Sequence, residues 1–405
     1  MPLQYVDDIP VFGEPSDEST LKQIRNCARD ASKVALMADN HLGYAVPIGG
    51  VVAYEGKISP SGVGYDIACG NKAVLTDADA TEVRKKIGVI MDEIWSALSF
   101  GVGLNNAEKV DHELFDDEAW KLPPMKTHRQ LAHNQLGTIG SGNHYVDIFE
   151  DEQGRIWIGA HFGSRGLGHK TATWFLKAGG AKDGMMVDPL VLDAESSLGA
   201  EYLECMRLAG RYAYAGRDWV CDRVARILDA KILDEVHNHH NFAWLETHDG
   251  REVWVVRKGA TPAFAGQRGF VGGSMGDDAV ILEGVDPAGN PLAAAENQAA
   301  ALFSTVHGAG RAMSRTAAKG RRKKVQGRWV PDPNHPGAVS RQDMERWIGK
   351  RGVVLRGADT DEAPQAYKRL PEVLRHHAGT VSILHTLSPI GVAMAGAGEF
   401  DPYKD

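Results

Sequence analysis

One short segment of this chain places a carboxylate close to a thiol. Residues 62–70 are GVGYDIACG, so Asp66 and Cys69 can serve one cation, and the glycines let the backbone approach it. A thiolate suits Zn²⁺ or Mn²⁺ better than Mg²⁺. The alternative for a lone cysteine is a small buried apolar side chain, which is the more common case for a cysteine in isolation.

Three histidines lie in short polar and glycine-containing contexts. They are His144 in GSGNH, His161 in HFGSRG and His240 in HHN. Neutral imidazole is the commonest metal ligand in proteins. For any one of these histidines a structural role is the default, but three such contexts favour one metal site shared with Cys69.

A fourth histidine opens a different pattern. His307 begins HGAGR, which ends at Arg311, and Arg315 follows. Glycine-turn amides bind anions and arginine binds phosphate in bidentate fashion, so His307 is placed to attack phosphorus. The alternative is a helix start without chemistry. Segments 257–262 and 272–275 add groups suited to phosphate. The residues alone support a metal-dependent phosphoryl or nucleotidyl transferase and, equally, a dinuclear phosphoesterase.

A predicted β-hairpin brings two of these histidines together. The strand-like runs at 145–149 and 155–158 flank a predicted four-residue turn at 151–154. This register sets His144 opposite His161, with Cβ atoms about 5 Å apart, close enough to share a metal.

A second predicted hairpin and a helix follow. With Thr247 paired to Gly250, His240 lies opposite Arg257. Within 200–236, apolar side chains recur every four positions, which predicts an amphipathic helix.

Composition excludes several classes of protein. The chain has 405 residues, 43% of them hydrophobic, and 45 Lys and Arg against 53 Asp and Glu, a net charge of −8. Overall charge therefore does not indicate nucleic-acid binding, and no apolar run reaches the roughly 18 residues of a membrane span. The polar, acidic start is no targeting peptide, and four cysteines make no disulfide framework. We predict one α+β domain over residues 1–405, located in the cytoplasm.

Two segments stand apart from this domain. Residues 316–340 carry a basic run from Lys319 to Lys324 followed by three prolines, and we predict an exposed loop there. RNA contact and simple solvation are both compatible with this run. Residues 397–405 form a C-terminal tail.

The order of motifs resembles the RtcB family of RNA-splicing ligases from Met37 to Gly396. The motifs are MADNHLG (37–43), PIGGV (47–51), GVGYDIACG (62–70), GTIGSGNH (137–144), HFGSRGLGH (161–169), HHNF (239–242), RKGATPA (257–263), GSMGD (273–277), HGAGRAMSR (307–315) and EAPQAYK (362–368). A chance match of so many motifs in family order is not credible.

The resemblance implies the family's mixed α+β fold and its reaction. Members join RNA 3′-phosphate or 2′,3′-cyclic phosphate ends to 5′-hydroxyl ends, using GTP and Mn²⁺, in RNA repair or tRNA splicing. His307 would attack the α-phosphate of GTP and carry GMP, and Asp39 would orient His307. GMP would then pass to the RNA 3′-phosphate, and the 5′-hydroxyl would displace it.

The resemblance also implies ligands and partners. Two Mn²⁺ ions would share Cys69, with His161 and His240 on one ion and Asp66 and His144 on the other. The implied nucleotide contacts are Asn143, Asp147, Asn241, Ser274, Gly308, Ala309, Gly310, Arg311 and Tyr367. RNA is the implied substrate, and an archease-type activator is an implied partner.

Two positions depart from the family pattern. Asp147 stands where the family has a guanine-contacting glutamate, and Ala395 stands where it has a nucleotide-contacting lysine. Losing such a charge-assisted contact costs roughly 1.5–3 kcal/mol, and Lys404 in the tail is a candidate substitute. Both changes leave the metal ligands and His307 intact. A di-metal phosphoesterase and a non-ligating nucleotide- or RNA-end-binding protein remain the alternatives.

Overall fold

Two large β-sheets dominate the computed structural model, which describes residues 3–182, 184–289, 292–325 and 328–396. The strands are β1 (Gln4–Val6), β2 (Ile9–Val11), β3 (Lys33–His41), β4 (Ile48–Tyr54), β5 (Lys57–Ile58), β6 (Gly70–Thr76), β7 (Tyr145–Asp151), β8 (Ile156–Phe162), β9 (Leu192–Asp193), β10 (Ile232–His239), β11 (Asn241–His248), β12 (Arg251–Lys258), β13 (Ala260–Pro262), β14 (Arg268–Val271), β15 (Ala279–Gly284), β16 (Ser304–Val306), β17 (Gly320–Val325), β18 (Arg328–Pro336), β19 (Val354–Ala358) and β20 (Val381–Gly396).

Helices cover the sheets and fill the connections between strands. They are α1 (Glu18–Ala28), α2 (Pro60–Val63), α3 (Ala80–Ala97), α4 (Pro123–Gln135), α5 (Arg165–Ala178), α6 (Ser197–Ile227), α7 (Leu292–Ala300), α8 (Arg315–Lys319), α9 (Arg341–Lys350) and α10 (Leu370–Arg375). Among the described residues, no helix combines the length and the apolar character that crossing a bilayer requires.

The central strands of the first sheet, β3, β4 and β12, are buried on both faces. Its strand order is β1-β2-β3-β4-β12-β11. Successive side chains of β3 enter different apolar clusters: Leu36 packs with α1 and α6, whereas Met37 packs with α10. Asp39 follows on the same strand and is fully buried.

The second sheet separates the apolar core from a polar cavity. Its order is β10-β6-β8-β7-β20-β15-β14, with β19 parallel to β20. Val146 and Ala395 point into a cluster formed with α3 and α6. Val392 and Met394 point to the opposite side and line the cavity. The predicted mixed α+β architecture is confirmed.

The register of the first hairpin differs by one residue from the prediction. His161 pairs with Tyr145 rather than with His144. The loop has three residues, 152–154, and Gly154 takes a left-handed φ of +73°. Three-residue hairpin loops with a left-handed final position are common, and counting a four-residue turn shifted every pair.

The register of the second hairpin differs by two residues. Arg257 lies opposite Phe242 rather than His240. Asp249 and Gly250 form the two-residue turn, with φ of +50° and +75°. Asp-Gly is the preferred pair for this type of turn, so the sequence contained the correct register.

The helix predicted over 200–236 was too long. The helix α6 ends at Ile227, Asp229 adopts a left-handed φ of +51°, and Ile232 begins β10. A left-handed residue just past the last turn is a common helix stop. Ile232 and Val236 are four residues apart, and this spacing also places two side chains on the same face of a strand. The spacing therefore does not distinguish a helix from a strand.

The segment predicted as a loop at 316–340 contains regular structure. It comprises most of α8 and the strands β17 and β18, which pair only with each other in the described part of the chain. Pro331 and Pro333 are compatible with β18 because a two-stranded ribbon leaves one edge unpaired. The tail at 397–405, including Lys404, lies outside the described residues.

Candidate active site

Sheet order brings the predicted metal ligands to one end of the second sheet. Cys69 directly precedes β6, and His161 lies near the end of the neighbouring β8. His144 directly precedes β7, and His240 directly follows β10. The backbone N–H of His240 donates to the carbonyl of Cys69 (2.8 Å). Since these strands are adjacent in the sheet, side chains distant in sequence meet at one place.

Three of these side chains have the spacing of ligands to one ion. The Sγ atom of Cys69 lies 3.3 Å from Nε2 of His161 and 3.6 Å from Nε2 of His144. Sulfur and nitrogen ligands of one tetrahedral zinc-type ion lie about 3.5 Å apart. All three residues are buried, and their ligand atoms lie within 4.8 Å of one another. The cluster therefore fits a metal ion.

Asp66 and His240 flank this cluster. The Oδ2 atom of Asp66 lies 3.0 Å from Nε2 of His144, and the rings of His161 and His240 have centroids 5.0 Å apart. Among the described residues, Nδ1 of His240 is buried without a hydrogen-bond partner, as expected of a group that awaits a ligand. A Cβ at Gly163 would lie 2.2 Å from Oδ1 of Asp66, so only glycine lets the backbone pass there.

Burial sets the protonation states of the cluster. It lowers the pKa of His144, His161 and His240, which favours the neutral imidazole, the form of histidine that ligates a metal. Burial, followed by the charge of Asp66, raises the pKa of the Cys69 thiol well above its ordinary value. A bound cation reverses that effect, because a coordinating thiol is deprotonated. A thiolate, neutral imidazoles and a carboxylate form a suitable donor set for Mn²⁺ or Zn²⁺.

Two arginines hold the cluster in place, Arg217 and Arg165. Arg217 of α6 is fully buried and donates to the carbonyls of Ala68 (3.2 Å) and Phe162. Arg165 donates to Nδ1 of His144 (3.0 Å) and thereby fixes the ring orientation. The only sequence signal for Arg217 is a single arginine on the otherwise apolar face of a long helix.

His307 lies against Asp39. Nδ1 of His307 is 2.6 Å from Oδ2 of Asp39, and the same oxygen accepts the backbone N–H of His307 (3.0 Å). Burial disfavours the charge of Asp39, but the charge and hydrogen bonds of His307 and the charge of Lys368 outweigh it and lower the Asp39 pKa. An ionised carboxylate holds the proton on Nδ1 and leaves the Nε2 lone pair free. The rings of His307 and His240 have centroids 4.8 Å apart, which joins this pair to the metal cluster.

The end of the HGAGR motif is anchored to the protein. Arg311 donates from Nη1 to Glu362 (3.1 Å) and to the Tyr367 hydroxyl (3.0 Å), from Nη2 to the Asp361 carbonyl (2.6 Å), and from Nε to the Met313 carbonyl (3.0 Å). The bidentate fork expected for phosphate is therefore already engaged. Arg311 lines the cavity, but its contacts hold the loop.

Glu362 is the centre of this anchor. Its carboxylate accepts hydrogen bonds from Arg311, from Arg315 (2.8 Å) and from the Tyr367 hydroxyl. Burial opposes ionisation of Glu362, but the charges of both arginines prevail and lower its pKa to about 2. Glu362 opens the EAPQAYK motif, yet nothing in the sequence paired it with these arginines.

A cavity of about 270 Å³ lies between the metal cluster and His307. Asp66, Cys69, His161, His240 and His307 contribute to its wall. The predicted nucleotide contacts in its wall are Asn143, Asp147, Asn241, Ser274, Gly308, Ala309, Gly310, Arg311 and Tyr367. Asp39 and His144 lie outside this wall and each contacts a residue within it.

Besides Arg311 and Tyr367, Asn241 and Ser274 among the predicted nucleotide contacts make hydrogen bonds within the protein. The amide of Asn241 donates to the Asp66 carbonyl (3.3 Å) and accepts the backbone N–H of Gly259 (2.8 Å). The hydroxyl of Ser274 donates to Asp277. These contacts fix the walls on either side of the cavity.

The two positions that depart from the family pattern differ in placement. Asp147 is buried in the cavity wall, and its Oδ1 has no hydrogen-bond partner among the described residues. Burial raises the Asp147 pKa well above its ordinary value and so favours the uncharged carboxyl. Ala395 faces the apolar cluster beside α3 instead. Its neighbour Met394 is the residue that lines the cavity.

Comparison with known proteins decides the family. The model of the family described as tRNA-splicing ligase RtcB matches residues 21–123 and 118–395. The chain belongs to the RtcB family. It is 30% identical to the tRNA-splicing ligase RtcB of Thermococcus kodakarensis, over 96% of this chain and 93% of that protein. It is 31% identical to the tRNA-splicing ligase RtcB of Pyrobaculum aerophilum, over 97% and 94% of the two chains. It is 28% identical to the RNA-splicing ligase RtcB of Escherichia coli K12, over 93% and 94%.

Proposed function

We propose that this protein is an RNA ligase that joins 3′-phosphate or 2′,3′-cyclic phosphate ends to 5′-hydroxyl ends through GMP carried on His307. Membership of the RtcB family supports the ligase reaction and RNA as the substrate. The free cysteines among the described residues, including the metal-ligand candidate Cys69, suit a reducing compartment, and we place the reaction in the cytoplasm.

The observation that carries the proposal is the contact between His307 and Asp39 beside the metal cluster. In the first step of the proposed reaction, Nε2 of His307 forms a bond to the α-phosphorus of GTP, and the bond from that phosphorus to pyrophosphate breaks. Asp39 holds the proton on Nδ1 and stabilises the positive charge that develops on the ring. A histidine that served only to bind would not need this carboxylate.

The second and third steps use RNA. The RNA 3′-phosphate takes GMP from His307, and the 5′-hydroxyl of the other strand then displaces GMP to form the phosphodiester. The proposal includes two Mn²⁺ ions. They would be held by Asp66, Cys69, His144, His161 and His240. Bound there, the metal would neutralise phosphate charge and polarise the phosphorus.

Intact mass after incubation with GTP and Mn²⁺ tests the first step. We expect the wild-type protein to gain the mass of one GMP, and His307→Ala to gain none. His128→Ala on α4 is the matched control, and it should form the adduct like the wild type. Metal-loaded wild-type protein that forms no adduct would contradict an autonomous ligase and direct the search to an archease-type activator.

Two RNA strands test the complete reaction. One strand ends in a 3′-phosphate and the other begins with a 5′-hydroxyl. Joined product that depends on His307 supports the ligase. Release of phosphate without joining would support a di-metal phosphoesterase instead, and the same samples distinguish the two.

A further inference from the structure

The ribbon formed by β17 and β18 concentrates positive charge in an acidic protein. Residues 319–336 contain six Lys and Arg and a single Asp, whereas the whole chain has a net charge of −8. The two strands pair with each other, and within the described residues they join neither large sheet. Both faces of such a ribbon are open to a partner.

The basic side chains of this ribbon are exposed. Arg321, Arg322, Lys323 and Lys324 are all exposed, and Lys323 forms an ion pair with Asp332 at 3.3 Å. Side chains alternate along a strand, so neighbouring cations lie on opposite faces and alternate ones share a face. The ribbon therefore offers positive charge on both faces.

The base of the ribbon is fixed to the active site. Arg315 begins α8, lines the cavity and donates to Glu362 (2.8 Å). Ala318 is buried in α8, and its carbonyl accepts the backbone N–H of Val339 (3.0 Å), which follows β18. The Nζ of Lys319 pairs with Asp359. Both ends of the ribbon are thus tied to the element that carries a cavity residue.

The dimensions suit a strand that extends from the cavity. The helix α8 covers about 8 Å from Arg315 to Gly320, and β17 adds about 17 Å along its six residues. A row of cations of this length complements a linear array of phosphates, which a single nucleotide would not fill. Phosphates beyond the reacting nucleotide are the groups that such a row would contact.

We propose that the β17–β18 ribbon binds the phosphate backbone of the RNA substrate outside the catalytic cavity. This inference rests on the proposed function, because it takes RNA as the substrate. The ribbon contributes to RNA binding and has no part in the transfer of GMP to His307.

The double variant Arg321→Glu/Lys324→Glu tests the ribbon. Lys85→Glu/Lys86→Glu on α3 is the matched control, since both lysines are exposed and the charge change is the same. The measurements are the Kd for a single-stranded RNA of about 20 nucleotides at several salt concentrations, and GMP adduct formation in the same preparations. We expect the ribbon variant to weaken RNA binding at least tenfold. The slope of log Kd against log salt should fall by about 1.4, or about 0.7 for each lost phosphate contact.

The adduct separates the two proposals. Equal RNA affinity in the wild type and both double variants, in protein that forms the adduct, would overturn the role of the ribbon and leave the ligase standing. Such a result would direct attention to an acidic protein as the partner of the ribbon. Weaker RNA binding in the ribbon variant alone, in protein that forms no adduct, would support the ribbon and contradict the ligase chemistry.

Discussion

Two pairs of histidine and carboxylate, both largely shielded from solvent, contain residues of the first sheet. In one, Nδ1 of His307 meets Asp39 of β3 at 2.6 Å. In the other, Nε2 of His248 meets Glu246 at 2.8 Å, both on β11. Distance and burial are similar, so neither property explains why only the first pair belongs to the candidate active site.

The two pairs differ in whether a cation binds the carboxylate. Glu246 accepts two hydrogen bonds from the fully buried Arg257 (2.6 and 3.1 Å), a permanent cation that neutralises it. Lys368, whose charge lowers the Asp39 pKa, donates instead to the backbone carbonyls of Ala38 (3.1 Å) and Asn40 (2.9 Å). Asp39 therefore keeps its charge for His307. A histidine–carboxylate pair serves chemistry when the carboxylate is not already neutralised and the ring adjoins a reactive cavity.

The largest expected effect comes from Asp39→Asn. A carboxamide can donate to Nδ1 of His307, which moves the ring proton to Nε2 and removes the attacking lone pair. By analogy with the same change in other triads, we expect GMP adduct formation to slow about 10³–10⁴-fold. The measurement is the single-turnover rate by intact mass.

Glu246→Gln is the matching change in the second pair. It should leave the adduct rate per folded molecule within about threefold of the wild type, as expected for a group distant from the reacting atoms. Equal loss of rate in both variants would remove the distinction between the two pairs.

Arg257→Met should lower the stability of the protein through the second pair without slowing GMP adduct formation at His307. It leaves Glu246 buried without its cation, and breaking a buried ion pair in this way costs about 3–5 kcal/mol. Urea unfolding measures the loss. Arg251→Met is the control, because Arg251 and its partner Glu55 are exposed, and it should change stability by less than about 0.5 kcal/mol. A fall in adduct rate per folded molecule for Arg257→Met would place Arg257 with the site after all.

The metal cluster could be predicted from sequence because residue type carries most of the information. Cys69 and three histidines in short polar motifs form a donor set that few other functions require. The strand partners were less predictable, since one loop residue more or less shifts every pair of a hairpin. His161 faces Tyr145 for this reason, and its ring still lies beside that of His144, with centroids 5.7 Å apart.

Partners of buried arginines could not be predicted from sequence. Arg257 lies in a motif with groups suited to phosphate, yet its guanidinium binds Glu246, the Ser304 hydroxyl and the Leu302 carbonyl. The orientation of Ala395 was equally hidden, because the face that a strand residue presents depends on pairing between distant segments. Motifs identify the groups at a site, whereas tertiary pairing decides which of them are free to act.

Glu362 combines features of both pairs, because it lies at the candidate active site, as Asp39 does, and has arginine partners, as Glu246 does. Its folded pKa of about 2 lies below the unfolded value near 4.3, so it stabilises the fold above about pH 4 and loses that contribution as the pH falls toward 2. The contribution at neutral pH is on the order of 3 kcal/mol. We expect urea unfolding of Glu362→Gln to vary less with pH between 5 and about 3 than that of the wild type. Identical pH slopes in the two proteins would show that the arginines do not hold Glu362 ionised.

The smallest effect is expected from Asp147→Asn, in the same cavity wall as His307. Burial raises the Asp147 pKa and favours the uncharged carboxyl, and a carboxamide likewise presents a donor group beside an acceptor oxygen. We expect the GMP adduct rate and the ratio of GTP to ATP use to stay within about threefold of the wild type, or less than about 1 kcal/mol. Asp147→Ala is the control that removes both polar atoms. If Asp147→Asn instead slows the reaction as much as Asp39→Asn, the bound nucleotide must draw Asp147 into its charged form. The site would then contain two charged carboxylates that support the reaction, Asp39 and Asp147. Neutralisation by a permanent cation would be the only feature that distinguishes Glu246 from them.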